Sequence, residues 1–176
     1  MKKSVFFVLI SLFSLIYGCN TINIKGTTYK DTYGDPHSEA FNKFIESKFA
    51  VRSDKILFKN IADITFNVSS IDDYELSRIN PFSIIQSFHG IVAVSQDYLI
   101  FITHDNTKNT YSDLFRIETK KIKKATLEEF GPNNFSILIN EENPSNNNLI
   151  QIINEESQIV DSDRSHAFFD LLEKLI

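Results

Sequence analysis

Two runs of β-branched and aromatic residues, Gly90–Ser95 and Tyr98–Thr103, stand on either side of Gln96-Asp97. No other feature constrains the fold as much. Two residues between such runs leave room only for a tight turn, so the runs are read as adjacent antiparallel strands of a hairpin. A sheet made of consecutive antiparallel strands is then the frame into which the remaining segments must fit.

Several other segments carry the same signal. Ala62, Ile64, Phe66 and Val68 alternate with Asp63, Thr65 and Asn67, the period-two pattern of a strand with one buried face. Leu114–Ile117 reads as a short strand after a polar loop over His104–Tyr111, and Ile122 to about Leu127 as another. Phe135–Asn140 and Leu149–Asn154 form a second hairpin across the polar, Pro144-containing stretch Glu141–Asn148. Ser69–Phe88 stays mixed, because Leu76, Ile79, Phe82, Ile85 and Phe88 have near-helical spacing while Pro81 breaks any helix through them.

Helical periodicity occurs at two places. Ser38–Phe49 sets Phe41, Phe44, Ile45 and Phe49 on one face, with Ser38 as N-cap. Near the C-terminus, Asp161, Ser162 and Asp163 offer caps and favourable negative charge to a helix whose Phe168, Leu171, Leu172 and Leu175 share a face. That face is expected to pack on the sheet. The fold class is therefore α+β, antiparallel and mainly β, with a short N-terminal helix and a C-terminal amphipathic helix.

The first residues have a different character. Lys2 and Lys3 precede an apolar run, Val5–Ile16, interrupted only by Ser11 and Ser14, and Cys19 follows it. A membrane-spanning helix needs about 20 apolar residues, and this run of about a dozen matches the apolar core of a signal peptide. Ile16 before Gly18 does not fit an ordinary secretory cleavage site, which takes small residues at those two positions. Ile16-Tyr17-Gly18-Cys19 resembles the lipobox of bacterial lipoproteins, although Leu is commoner than Ile at its first position and a small residue is commoner than Tyr17.

That resemblance implies a signal peptide over residues 1–18 and a diacylglyceryl group on Cys19, with a second acyl chain usual on its amine. It also implies a bacterial envelope location, on the periplasmic face of the outer membrane where one exists. Each buried methylene contributes about 0.8 kcal/mol, so two or three acyl chains hold a protein on its membrane. Cys19 is the only cysteine, so acylation leaves none for disulfides, thiolate catalysis or metal ligation. Residues 19–37, poor in large aliphatics, read as a lipidated tether, and 38–176 as a single globular domain.

Loss of residues 1–18 removes Lys2 and Lys3 and no acid, leaving 16 basic against 23 acidic side chains, a net charge of −7. An acidic body does not suit nucleic acid or an anionic membrane face.

Seven candidate strands followed by an amphipathic helix resemble the pleckstrin-homology-like superfold, including GRAM-type and bacterial PH-like domains, in which a bent barrel is plugged by that helix. The resemblance covers about residues 61–176 and rests on element order, the hairpin phrase and the last helix. Most PH domains carry a tryptophan in that helix. This chain has none, and Phe168 or Phe169 would fill the space.

Chemistry-bearing residues are sparse. His37, His89, His104 and His166 show no i, i+4 pair for a zinc site, and read as isolated loop or surface histidines. His104-Asp105 at a strand end has no nucleophile signature to join it. Asp72-Asp73, Glu128-Glu129, Glu141-Glu142 and Glu155-Glu156 are sequence pairs, but neighbours on a strand point to opposite faces. Asp161-Ser162-Asp163 lacks the glycine and closing glutamate of a calcium loop, which favours helix capping.

Lys120, Lys121, Lys123 and Lys124, with Arg116 upstream, form the one basic cluster. Two readings compete. The residues bind an anionic ligand, each lysine adding about 1 kcal/mol near an anionic surface, or they guard an edge strand against aggregation. The phosphoinositides of cytoplasmic PH domains are not expected in a bacterial envelope.

The sequence thus points to a noncatalytic, lipid-anchored envelope protein that binds a protein or peptide partner, with no cofactor, no metal and no nucleic acid. Alternatives are a binder of lipid or another amphiphile at the barrel mouth, an immunity lipoprotein that blocks a periplasmic toxin, and an envelope hydrolase whose site is dispersed in sequence.

Overall fold

The computed structural model describes residues 29–66, 87–129, 135–141 and 148–176. The lipobox, the signal segment and most of the mixed stretch 69–88 lie outside them. Helices α1 (Tyr29–Tyr33) and α2 (Glu39–Phe49) come first. Strands β1 (Phe58–Phe66), β2 (Ser87–Val94), β3 (Tyr98–Asp105), β4 (Thr110–Glu118), β5 (Ile122–Glu129), β6 (Phe135–Glu141) and β7 (Asn148–Ile152) follow, and α3 (Ser162–Leu175) closes the chain. Every pairing is antiparallel, in the order β4-β3-β2-β1-β7-β6-β5. The α+β, mainly antiparallel reading holds.

Two meanders, β1–β4 and β5–β7, are stitched together by the pairing of β1 with β7. Strands β4 and β5 therefore lie at opposite edges of the sheet, yet only the 3-10 turn Thr119–Lys121 separates them in sequence. The sheet has to curl for both to be true. Its inner face gathers Ile117 from one edge and Ile122 from the other into the same core as Ile64, Phe101, Ile139 and Ile150. Phe168 and Leu172 of α3, both fully buried, complete that core.

The N-terminal helices cover the outer face of the other half. Phe41, Ile45 and Phe49 of α2 pack with Tyr33 on Ile61, Ile91, Ala93, Ile100 and Ile102. Strands β2 and β3 are thus buried on both faces, which explains their continuous apolar runs where one covered face would give alternation. Ser38 caps α2 as expected, its Oγ accepting from the Phe41 amide at 3.1 Å. Asp161 caps α3, accepting from the Arg164 amide at 3.0 Å.

Several boundaries differ from the sequence reading, β1 beginning at Phe58 and β2 at Ser87. Half of the polar stretch His104–Tyr111 is strand, because His104 pairs with Tyr111 and Asp105 with Thr110, leaving Asn106–Asn109 as the turn. Asp105 Oδ1 accepts from the Thr107 and Lys108 amides and closes it. Consequently β4 is a nine-residue strand and not the short Leu114–Ile117 segment. Residues 29–37, assigned to the tether, are partly packed into the domain: Tyr33 is 7% exposed, and Gly34 at φ +87° sits so close to the β3–β4 hairpin that a Cβ would meet Tyr111 Cε1 at 2.8 Å.

Candidate functional site

The basic segment begins where the sheet changes edge. Lys120 and Lys121 lie in the 3-10 turn and both bind Glu118, at 2.9 and 2.8 Å. Those two bonds, Lys121's first, hold the Glu118 carboxyl down to about 2 against the opposing effect of desolvation. Lys120 and Lys121 therefore share Glu118 as a counterion. Ile122 and Ala125 both face the core although three positions separate them, which strict alternation forbids. A bulge between Ile122 and Lys124 absorbs the extra residue, and Lys123 and Lys124 are both exposed as a result.

Arg116 has two aromatic neighbours. Its guanidinium lies over the Tyr98 ring at 4.8 Å and the Phe49 ring at 5.8 Å, on the α2 side of the sheet. There it fastens the end of α2 to β3 and β4 by cation–π contact, a structural role.

The histidines are better connected than their spacing suggested. His89 Nδ1 is 2.6 Å from Asp63 Oδ1, directly across the β1–β2 pairing. Tyr33 lies against this pair with its ring edge on the imidazole, centroids 5.4 Å apart, and its phenol in the field of Asp63. Burial first, then Asp63, push the Tyr33 pKa well above the tyrosine range. On the next rung, Thr65 Oγ1 and Ser87 Oγ bond each other at 2.8 Å. Asp63 can fix the imidazole tautomer and leave Nε2 outward, but the hydroxyl beside it on the strand is committed to Thr65.

His37 bonds Glu155 at 3.1 Å. His104 bonds Asn109 at 3.1 Å within its hairpin, and His166 bonds the Ser162 carbonyl at 2.8 Å. Glu128 and Glu129 lie on β5, while Asp72-Asp73, Glu142 and Cys19 lie outside the described residues. Among the described residues no three His, Cys, Asp or Glu gather as a metal set, and no helix is long and apolar enough to cross a membrane.

Sequence reasoning missed the Tyr33–Asp63–His89 cluster because its members meet only through strand register. The one local signal is that His89 places a titratable group beside the apolar run Ile91–Val94 of β2. No protein-family model matches the chain, and no curated protein is similar enough to count as a relative.

Proposed function

We propose that this is a lipid-anchored envelope protein whose PH-like domain is a noncatalytic protein- or peptide-binding module. The observation that carries the reading is the curled sheet of two meanders, ending in edges β4 and β5 that meet at Thr119–Lys121, with α3 packed on the β5–β7 half. This arrangement suits the PH-like superfold. Phe168 supports it further, lying fully buried against Phe58 with centroids 5.1 Å apart, on the closing helix where most PH domains carry a tryptophan. Among the described residues no strand pairs with the outer side of β4 or β5. Such an edge offers main-chain donors and acceptors to an extended segment. Exposed Lys124 on β5 favours a segment carrying acidic residues.

Anchoring rests on Ile16-Tyr17-Gly18-Cys19. Palmitate labelling of the wild type and not of Cys19→Ala is the expected result, and equal labelling removes the anchor from the proposal. For the binding function, a photo-crosslinking residue replaces Lys124 on β5, Ser112 on β4, or Glu156 in a distant loop, in cells. A discrete adduct from an edge position and none from position 156 supports edge recognition. Equal patterns from all three positions refute it.

A further inference from the structure

We propose that the β5 edge recognises itself, pairing antiparallel with β5 of a second copy of this chain about a two-fold axis through Thr126. This deepens the edge reading given above by naming the partner of β5, and it rests on that reading only in taking the edge as open.

The pattern that carries it is Lys123-Lys124-Ala125-Thr126-Leu127-Glu128-Glu129, basic at one end and acidic at the other. Read backwards, it is its own charge complement. Alternation sets Lys124, Thr126 and Glu128 on the outer face of the sheet, while Ala125 and Leu127 face the inner core. Residues directly opposite one another in an antiparallel pair share a face. Pairing centred on Thr126 therefore sets Lys124 of each copy against Glu128 of the other on the outer face. On the inner face, Ala125 of each copy meets Leu127 of the other, a side chain only half-buried in a single copy.

Two further observations single out β5. Its bulge lies before Lys124, so Lys124–Glu129 pairs with β6 in unbroken register and presents an equally regular side outward. Neither Lys124 nor Glu128 has an ion-pair partner among the described residues. Strand β4 lacks both properties: a bulge interrupts its pairing opposite Phe101 and Ile102, and Asp113 already binds Lys48 of α2 at 3.3 Å.

Charge decides between a second copy and an unrelated acidic segment. A purely acidic strand would satisfy Lys124 and leave Glu128 without a base. The fitting strand carries a base and an acid four residues apart on one face, as β5 itself does. Two-fold pairing uses the same edge on both copies, so it closes at two and leaves no β5 edge for another strand. The β4 edges stay open to a different partner. Copies anchored through Cys19 on one membrane meet at a raised effective concentration, which helps so short an interface.

Disulfide trapping of the full chain in cell membranes, under a mild oxidant, tests the register. Cys19 is the only native cysteine. The unaltered chain is thus the background control, in which a disulfide dimer reports a free Cys19 thiol and not β5 pairing; Cys19→Ala then removes that background. Thr126→Cys brings two thiols face to face, within the Cα separation of ~4.4–6.8 Å that a disulfide spans. Lys124→Cys leaves its two Cα atoms about 14 Å apart, and Ser112→Cys on β4 reports random collision. The dimer yield from Thr126→Cys should exceed both by several-fold, and Lys124→Cys mixed with Glu128→Cys should also cross-link. Adding Lys124→Glu to the Thr126→Cys chain should cut its yield several-fold, and adding Glu128→Lys as well should restore it. Equal yields at positions 112, 124 and 126, or a charge-swapped chain no better than Lys124→Glu alone, overturns the proposal. Absence of a trapped dimer, with a photo-adduct from position 124 to a different protein, overturns self-pairing and leaves edge recognition standing.

Discussion

The side-chain amide of Asn60 donates to the Ile153 carbonyl at 2.7 Å, in a site where Asn60 is only 3% exposed. It donates also to the Ile61 carbonyl at 3.0 Å. Through these bonds β1 holds the chain just after β7, where Ile153 also donates its own amide to Ile61.

Asn60→Leu should therefore cost about 1–3 kcal/mol, because it leaves a buried carbonyl without its side-chain donor. The urea midpoint checks this. No loss would mean that the Ile61–Ile153 backbone bond suffices.

The inner core predicts a contrast on one helix. Leu172→Ala should cost about 2–5 kcal/mol, since the side chain is fully buried against the sheet. Leu171→Ala, at a half-buried neighbour, should cost clearly less by the same measurement.

Gly90 lies where a Cβ would come within 2.2 Å of the Ile102 carbonyl oxygen and 2.9 Å of Phe101 Cε1. Backbone cannot yield here without disturbing the β2–β3 pairing. Gly90→Ala should destabilise by about 1–3 kcal/mol or more, seen as a lower thermal midpoint.

Ser165 on α3 is fully buried, and its hydroxyl has no hydrogen-bond partner. An orphan of this kind costs about 1–3 kcal/mol. Ser165→Ala should raise the unfolding midpoint, and a lowered one would reveal a bond that the hydroxyl makes.

Glu118 should remain ionised down to about pH 2 in a carboxyl NMR titration. Its depressed pKa gives stability that is present above the ordinary glutamate value and disappears as the pH falls to about 2, although exposure and salt keep it small. Lys121→Ala should move the midpoint upward, toward ~4.3.

Local patterns carried much of the fold. The turn at Gln96-Asp97 is closed by the Ser95 amide on the Tyr98 carbonyl at 2.8 Å, and both long helices begin at their expected caps. What stayed hidden depends on partners remote in sequence. Nothing near Ile91–Val94 says that α2 covers one face and the core the other. Polar residues 104–111 look like a loop because both strand ends reach the rim, where hydrophobic alternation is not required. The Lys123 bulge appears only against the register of β6, and the Asp63–His89 pair only against that of β2. The aromatic neighbours of Arg116, Tyr98 and Phe49, were hidden for the same reason.

The junction of β1 with β7 also has a kinetic side. Asp63 pairs with His89 early in the chain but with Gln151 near its end. A polypeptide emerging N-terminus first, from a ribosome or an export channel, has the β1–β4 meander at hand long before its last strand arrives. Until then the β7-facing side of β1 has no strand beside it, and Phe168 and Leu172 are not yet there to fill the interior. The first half of this sheet must wait with an open flank, which makes the interval before the final strand appears the period when the molecule is most exposed to mispairing.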